Sequence, residues 1–88
     1  MKLIIAIIQD SDNEAVSGGL TSAGYRVTRT ASTGGFLRRG NTTLLIGTED
    51  EQVDEAIQII KDNCAPPPEP GHKRATVFVL NVDRYEQL

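Results

Sequence analysis

Residues 42–64 read TTLLIGTEDEQVDEAIQIIKDNC, a short apolar run followed by an amphipathic segment. Residues 42–46 have the length and composition of a β-strand, which Gly47 ends. Apolar residues then recur at the i, i+3, i+4, i+7 spacing of one helix face: Val53, Ala56, Ile57 and Ile60. The stretch therefore predicts a strand and then a helix that runs to about Cys64, with its apolar stripe packed on a sheet.

The N-terminal part of the chain repeats this strand-then-helix pattern. Residues 2–8, KLIIAII, form a β-branched apolar run that predicts a central strand buried on both faces. Apolar residues at helical spacing follow, and Gly24 is placed to close that helix. Gly18 and Gly19 lie inside it, and we expect them to let the helix pack close to the sheet.

Both helices are preceded by residues with the spacing of a capping box. The pairs are Ser11 with Glu14 and Thr48 with Glu51. In such a box the two side chains satisfy backbone N–H groups that have no partner in the first helical turn. The sequence therefore predicts side-chain caps at both helix N-termini.

Two more strands complete the pattern. Residues 25–31 alternate, so that Arg26 and Thr28 share a polar side opposite Tyr25 and Val27. Residues 75–82 predict the last strand, after a proline-rich loop at 65–74 that can be neither helix nor central strand.

The resulting β-α-β-β-α-β order predicts an α+β, ferredoxin-like fold in a single domain, residues 1–88. Its antiparallel sheet would carry both helices on one face. The other face must then be polar or be covered by a partner subunit. Because 88 residues with 39% apolar and 5% aromatic content build only a thin core, association into an oligomer is expected.

Composition also limits the classes of function. A net charge of −3 argues against a nucleic-acid polymer as partner, because such binding needs many cations on phosphates. The apolar opening is too short for a signal sequence and no membrane span is evident, so we expect a cytoplasmic protein. Cys64 and His72 are the only residues of their types, and no third group is evident to orient them as a catalytic pair.

Residues 32–43, STGGFLRRGNTT, are the part of the chain densest in chemistry. Glycines let a backbone approach a ligand, arginines bind phosphate, asparagine reads a purine edge and Phe36 offers a stacking face. A plain hairpin turn is the alternative, but the segment is long for one and follows Arg26 and Thr28. Neither GxxxxGK[ST] nor GxGxxG occurs, so the sequence predicts a nucleotide binder that is not an enzyme.

A metal site has little support in the sequence. The acidic residues 49–51 precede a helix, where carboxylates interact favourably with the helix dipole. They do not have the spacing of a calcium-binding loop. We therefore expect neither a metal nor a cofactor other than a bound nucleotide ligand.

Four segments carry a resemblance to a known family: MKLIIAIIQD at 1–10, STGGFLRRGNTT at 32–43, VDE at 53–55, and ATVFVL at 75–80 followed by Val82 and Asp83. They are similar to segments of the PII-like cyclic-di-AMP receptor family. The resemblance covers nearly the whole chain apart from the proline-rich loop. It implies a ferredoxin-like subunit of a homotrimer, with ligand clefts between neighbouring subunits, that acts as a signal receptor without catalysis.

The resemblance also implies roles for residues at matching positions. Arg26 and Thr28 would face the phosphates and nearby polar edges of cyclic di-AMP, and Asn41 would hydrogen-bond an adenine. Gly35, Phe36 and Leu37 would line the base pocket. Gly47 would pack beside the base, and Gln87 would reach the ligand from the C-terminal tail.

One feature departs from the family. Its receptors carry a long mobile loop between the second helix and the last strand, whereas residues 65–74 are short and proline-rich. Signalling to an unknown downstream protein is therefore less well supported than binding. A binder of ATP, ADP or another nucleotide, and a structural trimer with a vestigial pocket, remain as alternatives.

Overall fold

The computed structural model describes residues 1–30, 40–67, 71 and 73–88. Its strands and helices follow the predicted order: β1 (Lys2–Gln9), α1 (Asn13–Ser22), β2 (Arg26–Arg29), β3 (Asn41–Thr48), α2 (Val53–Asn63) and β4 (Ala75–Asn81). A 3-10 turn leads into each helix, Asp10–Asp12 before α1 and Asp50–Gln52 before α2. No helix in the described ranges is both long and apolar enough to cross a bilayer.

The four strands form one antiparallel sheet in the order β2-β3-β1-β4. β3 lies between β1 and β2, which are joined through α1, and β1 lies between β3 and β4, which are joined through α2. Two such interleaved crossovers define the ferredoxin-like arrangement. The predicted α+β fold is therefore confirmed.

Both helices pack on the same face of the sheet. Alternate residues of the central strands point to that face, as the period-2 geometry of strands requires. One cluster of buried side chains joins sheet and helices: Ile4, Ala6, Ile8, Leu44 and Ile46 from the strands, Val16 and Leu20 from α1, and Ala56 and Ile60 from α2. Burial of this cluster is the main apolar stabilisation of the fold.

No described residue forms a second layer on the opposite face of the sheet, which we call the open face. It is formed by the other alternate residues of the strands, including Leu3, Ile5, Ile7, Leu45, Phe78 and Leu80. Phe78 is 51% exposed and Leu80 is 47% exposed. The expectation that β1 is buried on both faces is therefore wrong for a single copy of the chain, and the open face is apolar rather than polar.

The N-termini of both helices differ from prediction, whereas the C-terminus of α1 agrees with it. The N-cap residues Asp12 and Gln52 make no side-chain capping hydrogen bond, so the predicted capping boxes are wrong. A 3-10 turn stands before each helix instead, so that the helix starts beyond the residue predicted to cap it. Gly24 does close α1, with φ +94°. Its N–H donates to the Thr21 carbonyl at 3.0 Å, and the next N–H donates to Leu20 at 3.0 Å, a Schellman motif.

The two glycines inside α1 have different surroundings. A Cβ on Gly18 would meet no atom of a described residue within 4 Å. A Cβ on Gly19 would lie 2.7 Å from Asn63 Nδ2 and 3.2 Å from Ile59 Cγ2, both on α2. Gly19 therefore allows close contact between the two helices, whereas the sequence predicted contact with the sheet.

A single buried carboxylate holds both ends of the proline-rich loop. Asp12 is 4% exposed, and its Oδ1 accepts the Ala65 N–H at 3.2 Å. Its Oδ2 accepts Nη2 of Arg74 at 2.8 Å and Nε at 3.2 Å. Both ends of the loop are therefore held at the N-terminus of α1.

Candidate functional site

A pocket of about 540 Å³ lies at the end of the sheet where Arg26 of β2 pairs with Gly47 of β3. Its volume is in the range of small-molecule sites. Four of the predicted site residues line it: Arg26, Thr28, Gly47 and Gln87. The start of β1, the turn between α1 and β2, and the C-terminal tail supply most of the remaining wall.

Strand alternation places the two polar residues of β2 on one side. Tyr25 is buried in the core and Val27 packs against it, so Arg26 and Thr28 face away from the helices. Arg26 is exposed and makes no ion pair with a described residue. Its guanidinium donors are therefore available to an anionic ligand.

Gly47 leaves the backbone of β3 bare beside Arg26. A Cβ there would have only one neighbour within 4 Å, Met1 Cε at 3.8 Å. Packing among the described residues therefore does not require glycine at this position. A glycine inside a strand is typical of a place where a ligand or another backbone comes close.

The inner wall of the pocket is tied to the start of α2 through Tyr25. Its hydroxyl donates to Glu55 Oε1 at 2.5 Å and lies 3.2 Å from the Gln52 carbonyl. The hydrogen bond to Glu55, followed by burial and the negative charge of that carboxylate, raises the pKa of Tyr25 to about 12. The phenol therefore stays protonated at neutral pH and keeps this wall in position.

The C-terminal tail forms the outer wall. The Val82 N–H donates to the Met1 carbonyl at 3.1 Å, which holds the start of the tail beside β1. Beyond it, Arg84 and Tyr85 line the pocket together with Gln87. Sequence reasoning selected Gln87 and missed the other two. The signal that could have identified Arg84 and Tyr85 was the position of a cation and an aromatic residue so close to Gln87 in the sequence.

Asn41 does not lie in this pocket. It is on the open face, as Gly47 is, but the two residues are six positions apart on β3, roughly 20 Å along the strand. One copy of the chain therefore does not bring Asn41 together with Arg26. The predicted residues Gly35, Phe36 and Leu37 lie outside the described part of the chain.

Comparison with known proteins identifies the family. The model of the cyclic-di-AMP receptor family matches residues 1–68. The chain belongs to this family. A solved structure described as that of a functionally unknown protein from Pediococcus pentosaceus ATCC 25745 is 40% identical in sequence, with a TM-score of 0.78. The match covers 99% of this chain and 96% of that one.

Membership of the cyclic-di-AMP receptor family gives the chain a coarse function. Members of this family are receptors for a small nucleotide, so their role is binding and signalling. The family match ends at residue 68, inside the loop that Asp12 holds at both ends. The match to the Pediococcus structure covers nearly all of this chain, so the likeness to that structure continues through β4 and the tail.

A second pocket in this receptor, of about 560 Å³, lies between the C-terminus of α2 and the start of β4. Its lining is mainly apolar and includes Cys64. Burial, followed by the negative charge of Asp12, raises the pKa of the Cys64 thiol, and Arg74 opposes that effect. Since the thiolate is the reactive form, Cys64 is a poor nucleophile at neutral pH. Among the described residues, no cluster of side chains is suited to hold a metal ion.

Proposed function

We propose that the chain is a non-enzymatic signalling receptor that binds cyclic di-AMP in clefts between subunits of a homotrimer. The observation that carries the proposal is the pocket beside Arg26 and Gly47, which adjoins the exposed apolar face of the sheet. Membership of the cyclic-di-AMP receptor family supports the ligand. The contact between this pocket and the open face supports a cleft that lies between subunits.

The chemistry of the pocket suits a cyclic dinucleotide. The phosphodiester groups are anionic, and Arg26 offers charge-assisted donors with Thr28 beside it on the same strand. The bare backbone at Gly47 leaves room for a flat base. The Gln87 amide both donates and accepts hydrogen bonds, as recognition of a polar edge requires.

The open face supports assembly through a second copy of the chain. Phe78 and Leu80 are about half exposed in the isolated chain, and β1 adds a further apolar row beside them. Exposed apolar patches of this kind mark interaction surfaces. Leu3 and Leu45 belong both to this face and to the lining of the pocket. A copy seated on the open face would therefore also border the ligand.

This assembly gives Asn41 a place in the site. Because Asn41 lies roughly 20 Å from Gly47 within one copy, we assign the adenine contact to Asn41 of an adjacent copy. The base pocket proposed for Gly35, Phe36 and Leu37 stays part of the hypothesis. The downstream protein partner and the cytoplasmic location stay predictions.

Titration calorimetry with cyclic di-AMP, cyclic di-GMP, ATP and ADP tests the ligand, and light scattering after size exclusion tests the assembly. We expect heat with cyclic di-AMP and the mass of a trimer. Binding of ATP or ADP instead would favour a mononucleotide receptor. A trimer that binds no member of the panel would favour a structural role with a vestigial pocket.

A further inference from the structure

The C-terminal tail contains a cation that lines the pocket but is paired outside it. Arg84 is part of the pocket lining, whereas Glu86 is not. Arg84 Nε donates to the Glu86 carboxylate in a close ion pair. The side chains are 80% and 46% exposed, respectively, so both can change partners without disturbing the core.

We propose that Arg84 is a phosphate-binding residue of this site, and that Glu86 competes with the ligand for its guanidinium. The inference rests on the proposed function, since it assumes an anionic nucleotide in this pocket. In the ligand-free protein the ion pair neutralises Arg84. When the nucleotide binds, the guanidinium exchanges the Glu86 carboxylate for a phosphate oxygen.

The attachment of the tail favours this exchange. The hydrogen bond from Val82 to Met1 holds the tail at the edge of the pocket, and Gln87 lines the pocket beyond Glu86. Arg84 therefore lies between Val82 and Gln87, which both line the pocket. Rotation about its side-chain bonds is enough to move the guanidinium from Glu86 toward the ligand, with no movement of the sheet.

Arg84 differs from Arg26 and Lys2, the other basic side chains that line the pocket. Arg26 makes no ion pair with a described residue, so it is ready to bind. The Lys2 ammonium donates to the side chain of Asn81, which is neutral and does not offset its charge. Of these three basic side chains, only Arg84 is paired with the carboxylate of a described residue. Glu86 therefore raises the nucleotide concentration needed to fill the site.

The size of the effect follows from the exposure of the pair. An exposed ion pair contributes modestly because water and salt screen it, so releasing Arg84 should tighten binding about two- to five-fold. A charge-assisted hydrogen bond to phosphate is stronger, and its loss should weaken binding about ten-fold or more. The two effects have opposite signs, which makes them separable.

The test measures the dissociation constant of cyclic di-AMP for the wild type, Glu86→Gln, Arg84→Gln and the double variant. We expect tighter binding for Glu86→Gln and weaker binding for Arg84→Gln. The double variant should bind like Arg84→Gln alone, because Glu86 acts only through Arg84. Asp62→Asn, which removes a charge at the far end of α2, is the control and should change little. Thermal melts should coincide for all of these proteins.

Three results would overturn the inference. Binding by Arg84→Gln as tight as that of the wild type would remove Arg84 from the site. Equal tightening by Glu86→Gln and Asp62→Asn would show an effect of net charge alone. Tightening by Glu86→Gln that persists in the double variant would show that Glu86 does not act through Arg84. If no variant binds the nucleotide, Glu86→Gln included, the proposed function fails together with this inference.

Salt gives an independent readout. At about 1 M salt the Debye length falls to about 3 Å, so exposed charges no longer compete effectively. The difference between the wild type and Glu86→Gln should then disappear. A difference that is unchanged at high salt would contradict an electrostatic competition.

Discussion

At the scale of single residues, the proposed site contains positions where contacts among the described residues do not require the residue type that is present. Gly47 is the clearest, because neither its backbone conformation nor its neighbours require glycine. Arg26 is similar, since its charge is not used in an ion pair with a described residue. We therefore propose that both residues serve ligand binding rather than the fold.

Gly47→Ala should separate binding from stability. The added methyl group meets only the end of the Met1 side chain at 3.8 Å, so we expect stability within about 0.5 kcal/mol of the wild type. Affinity for cyclic di-AMP should fall about ten-fold, because a base can no longer approach the backbone. Calorimetry and urea unfolding measure the two quantities, and unchanged affinity would place the ligand elsewhere.

Tyr25 should make the protein sensitive to alkaline pH. Its pKa is raised to about 12 in the folded protein from its usual 10, so folding favours the protonated phenol. This contribution to the free energy of unfolding is complete below pH 10 and is lost as the pH rises to about 12.

The comparison for this prediction is Tyr25→Phe. It should be less stable at neutral pH, by about 1 kcal/mol for the lost hydrogen bond. It should also lose less stability than the wild type across the alkaline range, which urea unfolding at a series of pH values would measure. Parallel losses in the two proteins would contradict the assignment.

At the scale of helices and strands, the two neighbouring glycines of α1 provide a matched pair. Gly18→Ala should stabilise the protein by up to about 1 kcal/mol, since alanine favours a helix and nothing lies near the new methyl group. Gly19→Ala should cancel that gain or destabilise by about 1 kcal/mol, because the methyl group meets Asn63 and Ile59 of α2. Thermal unfolding measures both, and equal stabilisation would mean that the helix contact adapts easily.

The elements also show which local patterns were informative. The apolar stripe of α2 predicted its helix well, because a period of 3.6 residues is imposed by local geometry. The β-branched apolar run of β1 predicted its strand because such side chains favour extended backbone. Gly24 was predicted correctly because a left-handed residue at a helix end is a local requirement. The capping boxes were wrong since Asp10–Asp12 and Asp50–Gln52 form 3-10 turns, which the spacing of two residues does not reveal.

At the scale of the whole molecule, the distance between Asn41 and Arg26 leads to a test of shared sites. In the proposed trimer a cleft takes Arg26 from one subunit and Asn41 from the next. Arg26→Gln and Asn41→Ala should each bind cyclic di-AMP at least about ten-fold more weakly as pure proteins. After the two are unfolded together and refolded, random mixing should leave about one cleft in four intact, with wild-type affinity.

The mixture needs two controls. Each variant refolded alone should show no tight sites, and light scattering should confirm that the mixture assembles as the wild type does. Recovery of tight sites only in the mixture would support a cleft between subunits. No recovery, with normal assembly, would mean that one subunit supplies both residues.

Sequence reasoning predicted the order of the elements and four of the residues that line the pocket. Arg26, Thr28, Gly47 and Gln87 lie together, while Arg84 and Tyr85 were missed. The difference has a physical cause, because the tail's position depends on β4 pairing with β1 and on the hydrogen bond from Val82 to Met1. Contacts between residues so distant in the chain leave no periodic pattern.

Local patterns in the chain were enough to specify an antiparallel sheet with two helices on one face, because burial and backbone geometry act over a few residues. The tertiary structure alone decided that the open face is apolar and that Gly47 stands beside Arg26. It also separated Asn41 from them. The position of Gly47 beside Arg26, and with it the distance from Arg26 to Asn41, depends on the register of paired strands, which long-range packing selects.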